Sequence, residues 1–319
     1  MHFHFTSIDE PIADFKWQKF FRARWPAYKV WLAASGHGPN PEIALAALNK
    51  YMPEMVPTHE HLCRLVGADD LAFSFLTGFQ PPTYSGACSQ AVTASGTVQL
   101  VRNYDFHLDR FEGTQLKTAW HEKKVIAVSD CLIGVLDGMN EDGLAISLAF
   151  GGRTIVGYGF GIPFILRYIL EFCSCVDEAV EVLHRIPSHM AYNVTITDKS
   201  GVVKTVLLAP DRTTVVTNAS YATNHQGTEM WTEIPLYSNT RERAIYLDDL
   251  LSKGFSGEAL IHAFLKPPLY NHGFSTGFGT LYTSAYLPTE GLVKMYWPSA
   301  KVIQSFDKFT EVNKLITLI

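Results

Sequence analysis

The run Phe79-Gln80-Pro81-Pro82-Thr83-Tyr84-Ser85-Gly86-Ala87-Cys88-Ser89-Gln90-Ala91-Val92 is where the chain changes texture. Two adjacent prolines cannot continue a helix, because neither has an amide donor, and the glycine that follows adds a turn signal. Upstream the pattern is helical: Pro41 opens Glu42-Ile43-Ala44-Leu45-Ala46-Ala47-Leu48, and Asp69-Asp70 places carboxylates on the first turn before Leu71-Ala72-Phe73-Ser74-Phe75-Leu76. Downstream the runs are β-rich: Val98–Arg102, Val125–Val128, Leu144–Leu148 and Tyr192–Thr197. The switch marks a boundary or exposed loop between a mostly helical first quarter, up to about residue 80, and a β-rich remainder.

Turn residues punctuate the second part. Asp137-Gly138 and Glu141-Asp142-Gly143 around Met139-Asn140, and Asp198-Lys199-Ser200-Gly201, read as hairpin connections. Amphipathic segments at Ile162–Phe172 and Val176–Arg185 predict neighbouring helices, Thr240–Ser252 and Gly257–Leu265 predict two more, and Thr280–Trp297 returns to strands. Strands, two central helices, strands, helices and strands describe an α+β layered domain, since a doubly wound parallel sheet would alternate βα units throughout.

Of 319 residues, 47% are hydrophobic and 18% charged, enough to bury a substantial core. Twenty-six Lys and Arg against thirty-one Asp and Glu give a net charge of −5, which predicts no nucleic-acid partner and no anionic membrane surface. Arg167 and Glu171 interrupt the most apolar stretch well short of the ~20 residues that span a bilayer. The start, Met1-His2-Phe3-His4-Phe5-Thr6, has no basic region feeding an apolar one, so the expected compartment is the cytoplasm. Five cysteines are too few and odd in number for a disulfide framework. HExxH, paired CxxC, Walker A and GxGxxG patterns are missing, which predicts neither metal nor nucleotide cofactor.

Cys88 is the residue most able to carry chemistry. If the Ala87–Cys88 bond were cut, the new α-amine, with a reference pKa of about 7.7–8.0, would lie beside the sulfur and take its proton. Its other reading is a small buried hydrophobe at a strand start. In Arg102-Asn103-Tyr104-Asp105, strand alternation sends Arg102 and Tyr104 to one face and Asn103 and Asp105 to the other. Asn193 interrupts a strand where Asn is disfavoured, as either an oxyanion donor or a hydrogen-bonded edge residue. Arg241 and Arg243 open a helix where cations oppose the dipole, as either functional groups or a solvated first turn. His225 would be the base of an uncleaved Cys88/His225 thiol hydrolase.

Taken together, Cys88-Ser89-Gln90, Arg102-Asn103-Tyr104-Asp105, Asp137-Gly138-Met139-Asn140-Glu141-Asp142-Gly143-Leu144, Tyr192-Asn193-Val194-Thr195 and Thr223-Asn224-His225 resemble the acyl-coenzyme A:6-aminopenicillanate acyltransferase branch of the N-terminal-nucleophile hydrolases. Choloylglycine hydrolases and penicillin V acylases are similar at a greater distance. The resemblance implies a four-layer αββα sandwich made as an inactive precursor. Self-cleavage between Ala87 and Cys88 would leave 1–87 as a partner chain of 88–319.

It further implies Cys88 as nucleophile, with its own amine as base and Arg102 and Asp105 positioning both. Asn193 would be the oxyanion donor and Arg241 the arginine near the nucleophile, with Arg243 close enough to compete. The substrate would be a small linear acyl amide or an acyl donor such as acyl-coenzyme A. Two departures stand out: Ala87 occupies a place where many relatives have Gly, and Phe150 falls where others carry a second oxyanion side chain, so a backbone N–H must substitute. A non-catalytic binding protein on the same sandwich is the alternative from another class.

Overall fold

The computed structural model, which describes residues 1–36, 38–227 and 238–318, stacks two sheets face to face. The larger has nine strands in the spatial order β10 (Val215–Thr217), β9 (Val203–Leu208), β8 (Tyr192–Asp198), β7 (Leu144–Phe150), β6 (Gly134–Asn140), β5 (Val125–Asp130), β4 (Thr114–Thr118), β1 (His2–Asp9) and β15 (Asn313–Thr317). The smaller runs β11 (Tyr221–Ala222), β2 (Ala87–Thr93), β3 (Gln99–His107), β12 (Phe278–Leu287), β13 (Leu292–Trp297) and β14 (Ala300–Ser305). Helices α5 (Ile162–Phe172) and α6 (Val176–Arg185) cover the outer face of the large sheet. Helices α7 (Thr240–Ser252) and α8 (Gly257–Phe264) cover that of the small one, where Leu247, Leu250, Leu260 and Phe264 pack on Ala91, Val101 and Ala285. This is the expected αββα order.

Because both faces of the small sheet are covered, every residue of β2 is buried, which explains a strand with no simple polar alternation. Its two faces still differ. Gln90 reaches across to Ser147 and to the Asn193 carbonyl in the large sheet, whereas Asn103, on neighbouring β3, donates to the carbonyls of Phe264 and Leu269 in the helical layer.

The first quarter is helical as expected, with α1 (Phe15–Ala34), α2 (Pro41–Tyr51), α3 (Val56–Val66) and α4 (Asp70–Phe75), the last capped by the Asp69 side chain. One element departs from the reading. Residues His2–Asp9 form a strand that pairs in parallel with β4 and antiparallel with β15, so a cut after Ala87 would leave one strand of the large sheet on the first chain. The alternation of His2 and His4 with Phe3 and Phe5 was its signal; Phe5 is fully buried.

A second departure concerns Asp137-Gly138, which lies inside β6 rather than in a turn; the connection is Glu141-Asp142-Gly143, with Gly143 at φ 84°. Gly138 is small for packing: a Cβ there would stand 2.6 Å from that of Ala127 and 2.8 Å from Leu170. The two charges in α5 are both buried, Arg167 pairing with Glu171 at 3.2 Å and donating to the Ile133 carbonyl. Among the described residues no helix is long and apolar enough to cross a membrane.

Candidate active site

Cys88 sits in the second position of β2, opposite Tyr104 of β3, with Ala87 opposite Asp105 and Gln90 opposite Arg102. Its thiol therefore shares the inter-sheet face with Tyr104 and Arg102, as strand alternation requires. Arg102 is completely buried and its guanidinium is fixed on every side: Nη2 reaches the Cys88 sulfur at 3.4 Å, Nε donates to the Leu148 carbonyl at 3.1 Å, and Nη1 meets the Tyr282 hydroxyl and Asp137. The Tyr104 ring stacks 4.8 Å below it. Asp137 also receives the hydroxyls of Tyr282 and Tyr286, so the aspartate of the Asp137–Leu144 motif is the counter-ion of the arginine. Burial pushes the Cys88 thiol up, and Arg102 draws it back toward the thiolate.

The backbone of Cys88 is held as closely as its sulfur. β11 pairs with β2 as Tyr221 to Ala91 and Ala222 to Gln90, and continuing the register two residues brings Asn224 opposite Cys88. The Asn224 Oδ1 accepts the Cys88 N–H at 2.8 Å, while its Nδ2 donates to the carbonyls of Phe150 at 3.0 Å and Gly86 at 3.3 Å. Arg243, buried on α7, donates to the Cys88 carbonyl, to Ser89 Oγ at 2.7 Å and to Asn224 Oδ1 at 2.8 Å. One amide and one guanidinium thus hold the backbone N–H and the backbone carbonyl of Cys88.

Asp105 lies on the opposite face of β3 from Arg102, in the helical layer, where Thr280 donates to it at 2.7 Å. Burial raises its pKa to about 6, against the pull of Arg243, the Thr280 hydroxyl and Arg102. With Arg243 and Tyr270 it lines a cavity of about 600 Å³.

The remaining sequence candidates divide. Arg241 is exposed, two residues before Arg243, which with Leu247 and Leu250 forms the buried stripe of α7. Asn193 is buried, but both of its amide hydrogens go to the carbonyls of Thr223 and His225, at 2.8 and 3.0 Å, so it anchors the segment that carries Asn224. His225 Nδ1 meets the hydroxyls of Thr223 and Thr240, and burial lowers its pKa. Among the described residues its ring makes no hydrogen bond to the Cys88 sulfur. Phe150 offers Asn224 its carbonyl, not an N–H. Asn224, Arg243 and Asp137 are the residues that the sequence reading left without a settled role. Asn224 stood inside a quoted motif, and Arg243 lies four residues before Leu247 on the apolar stripe. No group of three or more His, Cys, Asp or Glu placed to hold a metal ion occurs among the described residues.

The profile of the acyl-coenzyme A:6-aminopenicillanic acid acyl-transferase family matches residues 92–301, about two thirds of the sequence. The chain belongs to this family. The match begins four residues beyond Cys88 and takes in Arg102, Asp105, Asp137, Asn193, Asn224 and Arg243. Among solved structures, a mutant conjugated bile acid hydrolase from Clostridium perfringens is similar at 14% identity with a TM-score of 0.52, over 71% of this chain and 96% of that one. Penicillin V acylase from Agrobacterium tumefaciens (15% identity, TM-score 0.43, 70% and 86% covered) and the Caenorhabditis elegans ortholog of N-acylethanolamine-hydrolyzing acid amidase (15%, 0.47, 70% and 96%) are also similar. The bile acid hydrolase likeness shows a shared fold, the four-layer sandwich of two sheets between helices. No curated protein sequence matches the chain.

Proposed function

We propose that the chain is a self-processing cysteine amidohydrolase or acyltransferase acting on linear acyl amides through Cys88. One observation carries the reading: Arg102 meets the sulfur of Cys88, Asn224 its N–H and Arg243 its carbonyl, all from buried positions. A structural cysteine needs none of these contacts.

Processing moves the Cys88 sulfur onto the Ala87 carbonyl carbon as the C–N bond breaks and the thiol proton passes to the departing nitrogen. Water then cleaves the thioester, leaving an Ala87 carboxylate and a free Cys88 amine. In turnover that amine accepts the thiol proton, the thiolate attacks the substrate carbonyl, and the amine returns the proton to the leaving nitrogen. The acyl-thioester passes to water in hydrolysis, or to an amine in acyl transfer.

Asn224 takes the oxyanion role in this scheme in place of Asn193, because its long 3.3 Å donation to the Gly86 carbonyl is the one that is given up when the chain end at Ala87 shifts after cleavage. Such a donor is worth about 2.7–4 kcal/mol in other acyl-transfer enzymes. Asp105 and Arg243 support the amine side, and Arg241 has no part. The family's name puts acyl-coenzyme A among the acyl donors to be tried. The test is to mix the purified protein with activated acyl amides and thioesters and map the adduct by mass. An acyl group on Cys88 supports the proposal, and turnover that survives Cys88→Ala refutes it.

A further inference from the structure

A second cavity, of about 480 Å³, opens between α1 and the edge of the sheets, and its chemistry is unlike that of the first. Trp31 and Tyr28 of α1, with Tyr84, Phe106 and Phe111, give it aromatic walls, and Glu112 and Asp130 also line it. Glu112 is 2% exposed and Asp130 8%, yet no lysine, arginine or histidine nitrogen among the described residues lies within 4.0 Å of either carboxylate. Two other buried acids are ion-paired, Asp137 with Arg102 and Glu171 with Arg167, while Asp105 and Asp198 are satisfied by short hydrogen bonds instead, from Thr280 at 2.7 Å and from the Val176 and Ser200 N–H groups at 3.0 and 2.9 Å. Buried carboxylates without a cation are costly, and two together are more so.

Half of Glu112 has a structural task. Its Oε1 accepts from Tyr28 at 2.5 Å and from the Leu132 N–H at 2.8 Å, which holds Cys131 and Leu132 at positive φ, 54° and 70°. That task leaves Oε2, which is buried with no well-formed hydrogen bond of its own; the Ser129 hydroxyl beside it pulls the acid's pKa down but makes no well-aligned bond. Asp130 accepts from the Tyr84 hydroxyl at 3.4 Å, a long contact for oxygen, and from the Cys131 thiol at 3.4 Å, with the Cys131 backbone N–H also pulling its pKa down. Arg24 acts on Glu112 from the rim but gives its Nη2–H to the backbone carbonyl, and Asp109 and Arg110 lie exposed at the mouth. Burial raises both acids, and Asp130 rises further because Glu112 stands beside it.

We infer that this cavity is a binding site for an organic ammonium carried on an apolar or aromatic body, with Asp130 and Glu112 as its counter-ions. The aromatic faces attract a cation that the carboxylates neutralise, and the volume admits a small molecule rather than a bare ion.

The site's relation to the reaction rests on the Cys88 reading above. The leaving amine must lie where the Cys88 nitrogen can protonate it, on the Asn224 and Arg243 side. The acyl group stays with the sulfur, on the face shared with Tyr104, whose ring neighbours Phe106 at 5.5 Å. Phe106 in turn packs on Tyr84, and both wall the cavity. The ammonium therefore belongs to the acyl half of the substrate.

Two measurements test this separately. Calorimetry on the full Cys88→Ala chain at pH 8 compares phenethylamine with 2-phenylethanol, which has the same shape and no charge. The amine is expected to bind at least tenfold more tightly, with the preference reduced at least fivefold by Asp130→Asn and abolished by Asp130→Asn with Glu112→Gln. Equal binding of the two ligands, or no saturable binding of the amine to the unmodified chain, overturns the site whatever the variants do. The second measurement compares 5-aminopentanoyl and hexanoyl p-nitroanilides as substrates of the Cys88 protein. At least tenfold preference for the ammonium supports the acyl assignment, and preference for hexanoyl overturns it. If neither is turned over, the Cys88 reading has failed on these amides, and calorimetry still decides the ammonium site.

Discussion

Replacing Asn224 by Asp exchanges one amide nitrogen for a carboxylate oxygen at the centre of the proposed site. The carboxylate keeps the acceptor role toward the Cys88 N–H and Arg243, both at 2.8 Å in the parent, and the added charge strengthens them. It loses the two donations, to the Phe150 and Gly86 carbonyls at 3.0 and 3.3 Å. Two lost hydrogen bonds at about 1 kcal/mol each, partly offset by the charge-assisted pair, predict a stability loss of ~1–2 kcal/mol in urea unfolding. The rate should suffer more, because an acceptor cannot stabilise an oxyanion: about 10²–10³-fold in kcat/KM, equivalent to ~2.7–4 kcal/mol. Asn193→Ala is the control. It removes two bonds that anchor residues 223–225, so its stability loss of ~2 kcal/mol should match or exceed its loss of rate. The reasoning is refuted if Asn224→Asp turns over amides at near the parent rate while Asn193→Ala falls a hundredfold.

Other expectations follow from the same contacts. Arg243→Lys should lower chain cleavage and turnover at least tenfold, since an ammonium cannot reach the Cys88 carbonyl, Ser89 and Asn224 together, whereas Arg241→Ala should change stability by no more than ~0.5 kcal/mol and leave both rates alone; gel-based cleavage kinetics on both variants decides. Asp105 has a pKa raised to about 6 by burial, so the stability it allows below its unfolded value near 4 is lost as pH rises through 6. Asp105→Asn should therefore unfold with a shallower fall in stability between pH 4 and 7, by ~3 kcal/mol, and denaturant midpoints that track the parent across that range would contradict the burial argument. The same variant should also lose cleavage and Cys88 acylation, which a purely structural carboxylate would leave intact.

The parts of this molecule legible in the sequence were those set by local pattern. The proline break before Ala87, the carboxylates opening α4 and α6, and the alternation that separates Arg102 from Asp105 all survive into three dimensions, because each depends on neighbours a few residues away. What depends on distant partners did not show. Asp137-Gly138 has turn-like residues, yet Gly138 is there because Ala127 and Leu170 close in on it, and Asp137 because Arg102 needs a counter-ion. Asn224 takes its place from a strand pairing across 132 residues of sequence, Gln90 to Ala222, whose register no motif announces. The Glu112 and Asp130 pair was equally silent, since each is an ordinary residue until α1 folds over both.

The most direct test of the central claim is the intact mass of the freshly purified protein, read beside that of Cys88→Ala. The account predicts two associated chains, residues 1–87 and 88–319, which share the 35.6 kDa as about 10 and 26 kDa by residue count, the larger beginning with Cys88. Cys88→Ala should remain one chain of 35.6 kDa within the mass of a sulfur atom. A wild-type protein that stays a single chain while turning over amides would contradict the account, because no free amine would then stand beside the sulfur.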